Sequence, residues 1–402
     1  MAPAPTVILG AGLSGLSVAR ALLRQRPGAS IVLVDRRTTW ERDRTWCFWA
    51  TPGIPDAALA TARWNAWRTI GHDGAATQRS ERHPYLHLPA DRFYEASLKE
   101  LSSAPNVELA TATSVLAVRP ARRKAIVVET SRGDLRAAGV VDAMGGRGPL
   151  LRGRPAGAVE LSQRFLGLEV EVERPVFEPT TATLMDFRLP GPPGAVRFMY
   201  VLPFSRTRAL IEDTSIGGPV IGQAERRRAI EAYLAERLGA GAVSVLRTER
   251  GSLPMTTFPF PATRGPGLFA AGQAAGAARP SSGYAFARTQ RHATALAACI
   301  LRGSPAPSAL GPRRRRALDA QFLRALRTSP GSAAGWFTTL ARDVPGDVFA
   351  RFMSDASSAA DEARVMRALA KPHFLVALAG TATDRRHGGA EAAPRPAQAA
   401  SA

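Results

Sequence analysis

Two stretches of this 402-residue chain carry residue types at spacings that can do chemistry. The first is Gly10-Ala11-Gly12-Leu13-Ser14-Gly15, with Asp35 20 residues beyond its last glycine. In a G-x-G-x-x-G turn between strand and helix, each glycine has its own task. Gly10 permits the tight turn, Gly12 lets a pyrophosphate approach the backbone at the helix N-terminus, and Gly15 lets helix and strand pack closely. An acid at Asp35, ending the next strand, can bind a ribose hydroxyl. The pattern predicts dinucleotide binding. The second stretch is Arg208-Ala209-Leu210-Ile211-Glu212-Asp213-Thr214, an apolar run ending in adjacent acids. Side chains alternate along a strand, so Glu212 shares a face with Leu210 and Thr214, and Asp213 the other with Ile211. One acid can face a cavity while the other supports; a solvated strand end is the alternative. An acid against apolar neighbours keeps its proton and can deliver it. His83 and His87 are four apart, but Pro84 breaks the helical spacing and no third ligand is near, so no metal site is expected. No G-x-S-x-G nucleophile turn occurs.

These residues need elements to hold them. Val7 to Leu9 reads as a buried strand, Leu16 to Leu23 as a helix and Ile31 to Val34 as a second buried strand, together one βαβ unit. Trp40 to Trp67, rich in tryptophan and arginine, reads as irregular connection. Asp91 to Leu101 reads as helix; Val107 to Val118, Ala125 to Thr130 and Gly139 to Asp142 as strands. Gly167 to Val172, Ala182 to Phe187, Arg197 to Leu202 and Ala209 to Thr214 are separated by Pro/Gly-rich turns, an antiparallel meander. Ile230, Tyr233, Leu234 and Leu238 share one helical face, and Gly239 stops that helix. Gly267 to Ala271 is a late strand entering a second glycine turn, Gly272-Gln273-Ala274-Ala275-Gly276; a helix follows from about Gly283 to Leu301. Pro312 opens a very basic helix, Arg313 to Arg327, with Leu318, Phe322 and Leu326 on its apolar face and Leu323 at the edge. Two uses of that helix stand open: contact with a membrane surface, or packing on the core with a solvated basic face.

Composition narrows the class. The net charge is +20, yet only three of the 53 basic residues are lysine: Lys99, Lys124 and Lys371. The arginines are scattered rather than interleaved with aromatics in one patch, which argues against nucleic acid and leaves an anionic membrane surface as the better partner. Two distant cysteines, Cys47 and Cys299, make neither a disulfide framework nor a zinc site, so a reducing cytoplasm is expected. No signal peptide is expected, and no run of about 18 apolar residues could span a bilayer.

Several further segments follow the glycine turn in order: Thr45-Trp46-Cys47-Phe48, Met185-Asp186, Arg197 to Pro203 followed by Arg208 to Thr214, Gly251-Ser252-Leu253-Pro254-Met255, and Gly276 to Tyr284. Together they resemble the bacterial lycopene beta-cyclases. Two departures are visible. Pro280-Ser281-Ser282-Gly283-Tyr284 replaces the family's Pro-Thr-Thr-Gly-Tyr, and the turn Asp142 to Gly148 is longer than its Asp-x-Arg-Gly. The resemblance implies an α/β two-domain flavoprotein: a Rossmann-like FAD-binding domain built from separated segments, an antiparallel β substrate-domain sheet and C-terminal helices. The expected boundaries are 1–165 for the first FAD-binding part (βαβ 6–35), 166–250 for the antiparallel domain, 251–310 for the returning FAD-binding segment, 311–383 for the helical region and 384–402 for a disordered tail. Gly10, Gly12, Gly15, Asp35, Gly272 and Gly283 would contact FAD. Glu212 would be the proton donor or the base that takes the proton back, with Asp213 beside it. The implied reaction has no net redox change. A proton adds at C2 of the linear end of lycopene, the C5–C6 double bond attacks the cation at C1, and loss of the C6 proton closes a beta ring. FAD would act in its reduced form, with NAD(P)H as reductant, and the enzyme would be cytoplasmic and peripheral on the membrane that holds its apolar carotenoid substrate. The alternative is an FAD-dependent monooxygenase or prenyl-chain reductase, which would transfer electrons at each turnover.

Overall fold

Thr6–Leu9 and Ile31–Val34 are apolar almost throughout because both faces of their sheet are covered. In the computed structural model, which describes residues 4–120, 126–145 and 158–369, they lie side by side and parallel. Their sheet has six strands in the order Thr263–Gly265, Leu268–Ala270, Gly139–Asp142, Thr6–Leu9, Ile31–Val34, Val107–Ala110, all parallel except the first pair. The helix Leu13–Gln25 covers one face together with Phe286–Arg302, and their Leu16, Leu22 and Leu296 share one core with Ile8 and Leu33.

A second sheet has seven strands: Val243–Thr256, Glu160–Val172, Arg208–Gly217, Ala195–Pro203, Thr181–Asp186, Ala66–Gly71 and Gly74–Arg79. It is antiparallel except where Thr181–Asp186 runs parallel to Ala66–Gly71. Its back face, with Leu166, Leu168, Met199, Val201 and Ile211, packs on Ile230 and Leu234 of the helical segment that starts at Gln223. Its front face meets a third sheet, Thr45–Trp49, Tyr85–Pro89 and Ala62–Trp64, and the C-terminal helices.

Several elements depart from the sequence reading. The segment Trp40 to Trp67 is not irregular: it contains Thr45–Trp49, Ala62–Trp64 and the start of Ala66–Gly71. Both faces of Thr45–Trp49 are covered by apolar groups, which hides the alternation. Trp46 and Phe48 pack on Phe286, while Trp49 packs on Tyr85 and Tyr284. Val107 to Val118 is two strands in different sheets, Val107–Ala110 and Val115–Pro120, broken near Ala112 at a φ of 47°. The strand Val243–Thr256 crosses the expected boundary at residue 250, and Ala66–Gly71 and Gly74–Arg79 join the second sheet from within the first expected segment. Residues 146–148 of the long turn, 370–383 of the expected helical region and the expected tail 384–402 lie outside the described residues.

The basic helix, Arg313–Thr328, turns its apolar side inward. Leu323 and Leu326 are buried, and the Phe322 ring meets Trp336 and Phe337. That face belongs to the core, which removes it as a membrane contact. The same helix buries Asp319, whose Oδ1 accepts from Arg279 Nε at 3.0 Å and Ser281 Oγ at 2.6 Å. Arg279 also donates to the Phe352 carbonyl and lies 4.3 Å over its ring. Asp319→Ala would leave a buried guanidinium without its counter-charge; the expected loss is about 3–5 kcal/mol of stability, read from urea unfolding.

Candidate active site

The three turns at the carboxyl ends of the central parallel strands converge. Gly10 has a φ of +94°, and a Cβ there would press on the Ala143 carbonyl at 3.1 Å. A Cβ on Gly15 would lie 1.8 Å from the Gly10 carbonyl oxygen, so only glycine lets the helix approach this closely. Gly272, at a φ of +64°, lies against Ser14: a Cβ there would meet its Oγ at 1.8 Å. Gly10, Gly12, Gly15 and Gly272 therefore gather at one helix start. Gly12 caps that helix without a side-chain hydrogen bond, no acid occupies the first turn, and only Arg37 Nη2, at 3.9 Å, would come within 4 Å of a Cβ on Gly12. Open backbone N–H groups with room before them fit a pyrophosphate. Asp35 ends its strand beside this turn, accepting from the Ala11 N–H at 2.7 Å and from Arg37. Gly283 packs instead against Gln163 and Leu253 of the second sheet.

The acids lie on the central strand Arg208–Gly217 of the second sheet, on opposite faces. Asp213 is fully buried on the back face. Arg197 grips both its oxygens, Nη2 to Oδ2 at 2.6 Å and Nε to Oδ1 at 3.1 Å, and Arg226 Nη1 adds a third bond at 3.1 Å. Arg226 also donates to the Asp213 carbonyl and to Ser215 Oγ. Every partner of Asp213 is a donor tying the strand to its neighbour or to the helix Gln223–Ala232, as suits a structural carboxylate.

Glu212 is half-buried on the front face. Tyr200 stands opposite it on one neighbouring strand and Gly167 on the other, with Glu249 beyond Gly167. The residues Thr45, Cys47 and Trp49 of the third sheet point back at this row. Thr45 Oγ1 donates to Glu249 Oε2 at 2.9 Å, and Cys47 contacts the Tyr200 hydroxyl. Tyr85 links the hydroxyls of Tyr200, at 2.9 Å, and Tyr284, at 2.7 Å. Burial, then the nearby Glu249 carboxyl, holds the proton affinity of Glu212 well above the usual carboxylate range. Burial likewise pushes up the Cys47 thiol and the hydroxyls of Tyr85, Tyr200 and Tyr284, so all remain protonated. Glu169, in the next row, is buried and bound by Arg42, Arg208 and Arg247. Beside it His87 bonds to Thr61, and burial together with Arg42 pushes it down to about 3, so the imidazole is neutral. The arrangement offers one protonated carboxyl between neutral hydroxyls and aromatic rings on one side and the ion-paired Glu249 and Glu169 on the other.

Sequence reasoning missed Gly167, Glu249, Thr45 as a polar partner, and the tyrosine chain. Gly167 carried a signal: an isolated glycine in an apolar strand marks a close approach. Glu249 carried none, because Val243–Thr256 is a polar, half-exposed edge strand without sustained apolar alternation.

A glycine turn on a parallel sheet, facing a larger mostly antiparallel sheet, defines an α/β fold of the flavoprotein type. A geranylgeranyl bacteriochlorophyll reductase-like protein from Thermoplasma acidophilum matches with a TM-score of 0.62 at 15% identity, covering 94% of this chain and 98% of that one. A flavoprotein/dehydrogenase from Cytophaga hutchinsonii matches with a TM-score of 0.59 at 17% identity, covering 96% and 99%. At these identities the likeness shows the fold alone. The chain belongs to the lycopene cyclase family: residues 6–378 match its model, described as lycopene cyclase protein. It is 26% identical over 398 residues to a lycopene beta-cyclase of Pantoea ananas, covering 94% of this chain and 98% of that protein. It is 34% identical over 220 residues to a lycopene beta-cyclase of a Paracoccus species, a match that spans 51% of this chain and about half, 55%, of that relative.

The opposite roles of the two acids can be separated by experiment. Asp213→Asn leaves Arg197 and Arg226 buried without their anion, so it should lower stability by about 3 kcal/mol or more. Urea unfolding of the purified variant checks this, and wild-type stability would show that the ion cluster does not hold the strand.

Proposed function

We propose that this chain is a lycopene beta-cyclase that closes beta rings by acid–base chemistry, with Glu212 moving the proton. The observation that carries the reading is the placement of Glu212: a carboxyl that keeps its proton, half-buried on the front face of a sheet in a member of the lycopene cyclase family. A linear carotenoid end has no polar handle, so protonation requires an acid held in an apolar, water-poor place. Glu212 gives its proton to C2, and its O–H bond breaks as the C–H bond forms. The C5–C6 double bond then attacks C1. The C6 proton returns to the carboxylate, so atoms and electrons balance without an external oxidant or reductant. Tyr200, Tyr85 and Tyr284 hold one another by hydrogen bonds and border the acid. The aromatic rings Trp49, Trp64 and Trp67 pack behind them and exclude water.

The glycine turns fit FAD, with the helix start at Gly12 receiving the pyrophosphate and Asp35 beside the first turn for the ribose. When bound in reduced form, the flavin would supply negative charge that stabilises the substrate cation. NAD(P)H is the proposed reductant that keeps it in that state. An apolar carotenoid resides in the bilayer, so we place the enzyme on the cytoplasmic membrane surface, taking its substrate from there; no helix among the described residues is long and apolar enough to cross a membrane.

Two outcomes check this reading. Gly12→Val puts a branched side chain where the pyrophosphate would lie, so the purified variant should lose the flavin absorbance that wild type retains. Glu212→Gln keeps size and removes the acid, so in a lycopene-accumulating host it should leave lycopene uncyclised, by about a hundredfold or more, while holding flavin normally. Ring formation near the wild-type rate in Glu212→Gln would move the acid elsewhere.

A further inference from the structure

Glu212 has a second carboxyl beside it. Gly167 pairs with Glu212 on one side and with Glu249 on the other. A Cβ on Gly167 would lie 3.1 Å from Glu212 Cγ and 3.0 Å from Glu249 Cγ. The two glutamates therefore lean over the glycine from both sides and fill the space its side chain would take, which brings their carboxyl groups together on one face. Two carboxyl groups held this close favour keeping one proton between them, because two carboxylates repel.

The surroundings decide which member holds it. Glu249 Oε2 accepts from Arg247 Nη1 at 2.5 Å and from Thr45 Oγ1 at 2.9 Å, so a cation and a hydroxyl donor both point at it. Among the described residues Glu212 forms no ion pair. Its other neighbours are Tyr200 across the strand pair, Cys47 from the third sheet and Tyr284 from the loop ahead of the helix Phe286–Arg302, all kept neutral by burial. Among the described residues, the cation named as acting on Glu212 is Arg247, which is already bound to Glu249 and Glu169.

We propose that Glu249 is a positioning residue for the acid: the two glutamates share one proton across Gly167, Glu249 as the anionic member and Glu212 as the one that presents the proton to the substrate. The inference rests on the cyclase reading for the use of that proton. When the Glu212 O–H breaks and the new C–H forms, the pair goes from one negative charge to two, held beside Arg247 and the new substrate cation. The proton lost from the ring re-forms the single O–H, and the pair returns to its starting charge.

An anionic neighbour makes Glu212 harder to deprotonate, so removing that charge must let Glu212 lose its proton at lower pH. The full flavin-loaded chain would be titrated by infrared spectroscopy, following the protonated-carboxyl C=O band, which needs no turnover. In parallel, the alkaline limb of the pH–rate profile would be measured with lycopene in liposomes. In wild type the band should persist above the ordinary carboxyl range, and Glu212→Gln should remove it. Glu249→Gln should shift both the band and the alkaline limb down by about one pH unit or more. Glu249→Asp, which keeps the charge, should restore part of the shift. Gly167→Ala keeps both acids but wedges them apart, and should shift the titration in the same direction even if Glu249→Gln folds poorly. A Glu249→Gln or Gly167→Ala protein with normal flavin content and an unmoved titration would overturn the pairing. A wild-type chain that forms no rings would instead defeat the cyclase reading, while the infrared titration would still decide whether the pair exists.

Discussion

Neighbouring residues on a strand cannot share a face, and the site depends on that constraint. Glu212 and Asp213 are one residue apart, yet they meet opposite electrostatic worlds. Behind the sheet, two guanidinium groups and a run of donors surround Asp213. In front, Glu212 meets neutral hydroxyls, a thiol and another carboxyl. The two environments are linked mechanically. The Arg197 and Arg226 clamp ties the strand to its neighbour and to the helix behind it, and so pins its register. A slip of one residue would exchange the two acids and bring Asp213 to the front face in place of Glu212, the proposed proton donor. A buried ion cluster of this kind adds little net stability over apolar packing, but it penalises the wrong register heavily.

The dinucleotide turn and the acid belong to different sheets, and rigid contacts join them. The helix Phe286–Arg302 packs along Leu13–Gln25, whose start forms the glycine turn. Just ahead of it, the loop carrying Arg279, Ser281 and Tyr284 is tied down by Asp319 from the basic helix. Tyr284 then passes the connection through Tyr85 to Tyr200, opposite Glu212. Arginine does more in this chain than set a net charge. Arg20, Arg197, Arg226, Arg279 and Arg288 each clamp a buried or nearly buried acid through two or more bonds, or through one bond and a ring contact.

Legibility in the sequence followed from how local the determinants were. The βαβ unit could be read because glycine spacing, apolar runs and an acid all lie within 35 residues. The separation of Glu212 from Asp213 could be read because it follows from strand period alone. Thr45–Trp49 could not, because burial on both faces erases the alternation that marks a strand. Val243–Thr256 could not for the opposite reason: as a polar edge strand it is held by its long ladder to Glu160–Val172 rather than by a pattern of its own. Glu249 is carried on that strand, so the partner of the acid was invisible although the acid was not. The basic helix shows a third case. Its apolar stripe was plain, but whether lipid or protein covered it depended on Trp336, Phe337 and neighbours far along the chain.

Raising the proton affinity of an acid creates a tension, because a more reluctant acid is also a weaker one. For an unperturbed glutamate at neutral pH, only about one molecule in several hundred carries the proton, and an alkene would rarely meet it. In the reaction proposed for this chain, holding the proton on Glu212 would remove that scarcity. The thermodynamic cost of parting with it falls on the transition state, where a cation forms on the substrate. At that moment the same carboxyls that resisted ionisation become a fixed negative charge beside the positive one, in a setting where little water screens the attraction. On the proposed mechanism, burial and the neighbouring carboxylate would thus act twice, first by keeping the acid loaded and then by stabilising the ion pair that its discharge creates. No electron needs to move for this to work. A fold shared with a bacteriochlorophyll reductase-like protein and a dehydrogenase can therefore serve a reaction without net redox change, provided the face of its second sheet supplies the proton.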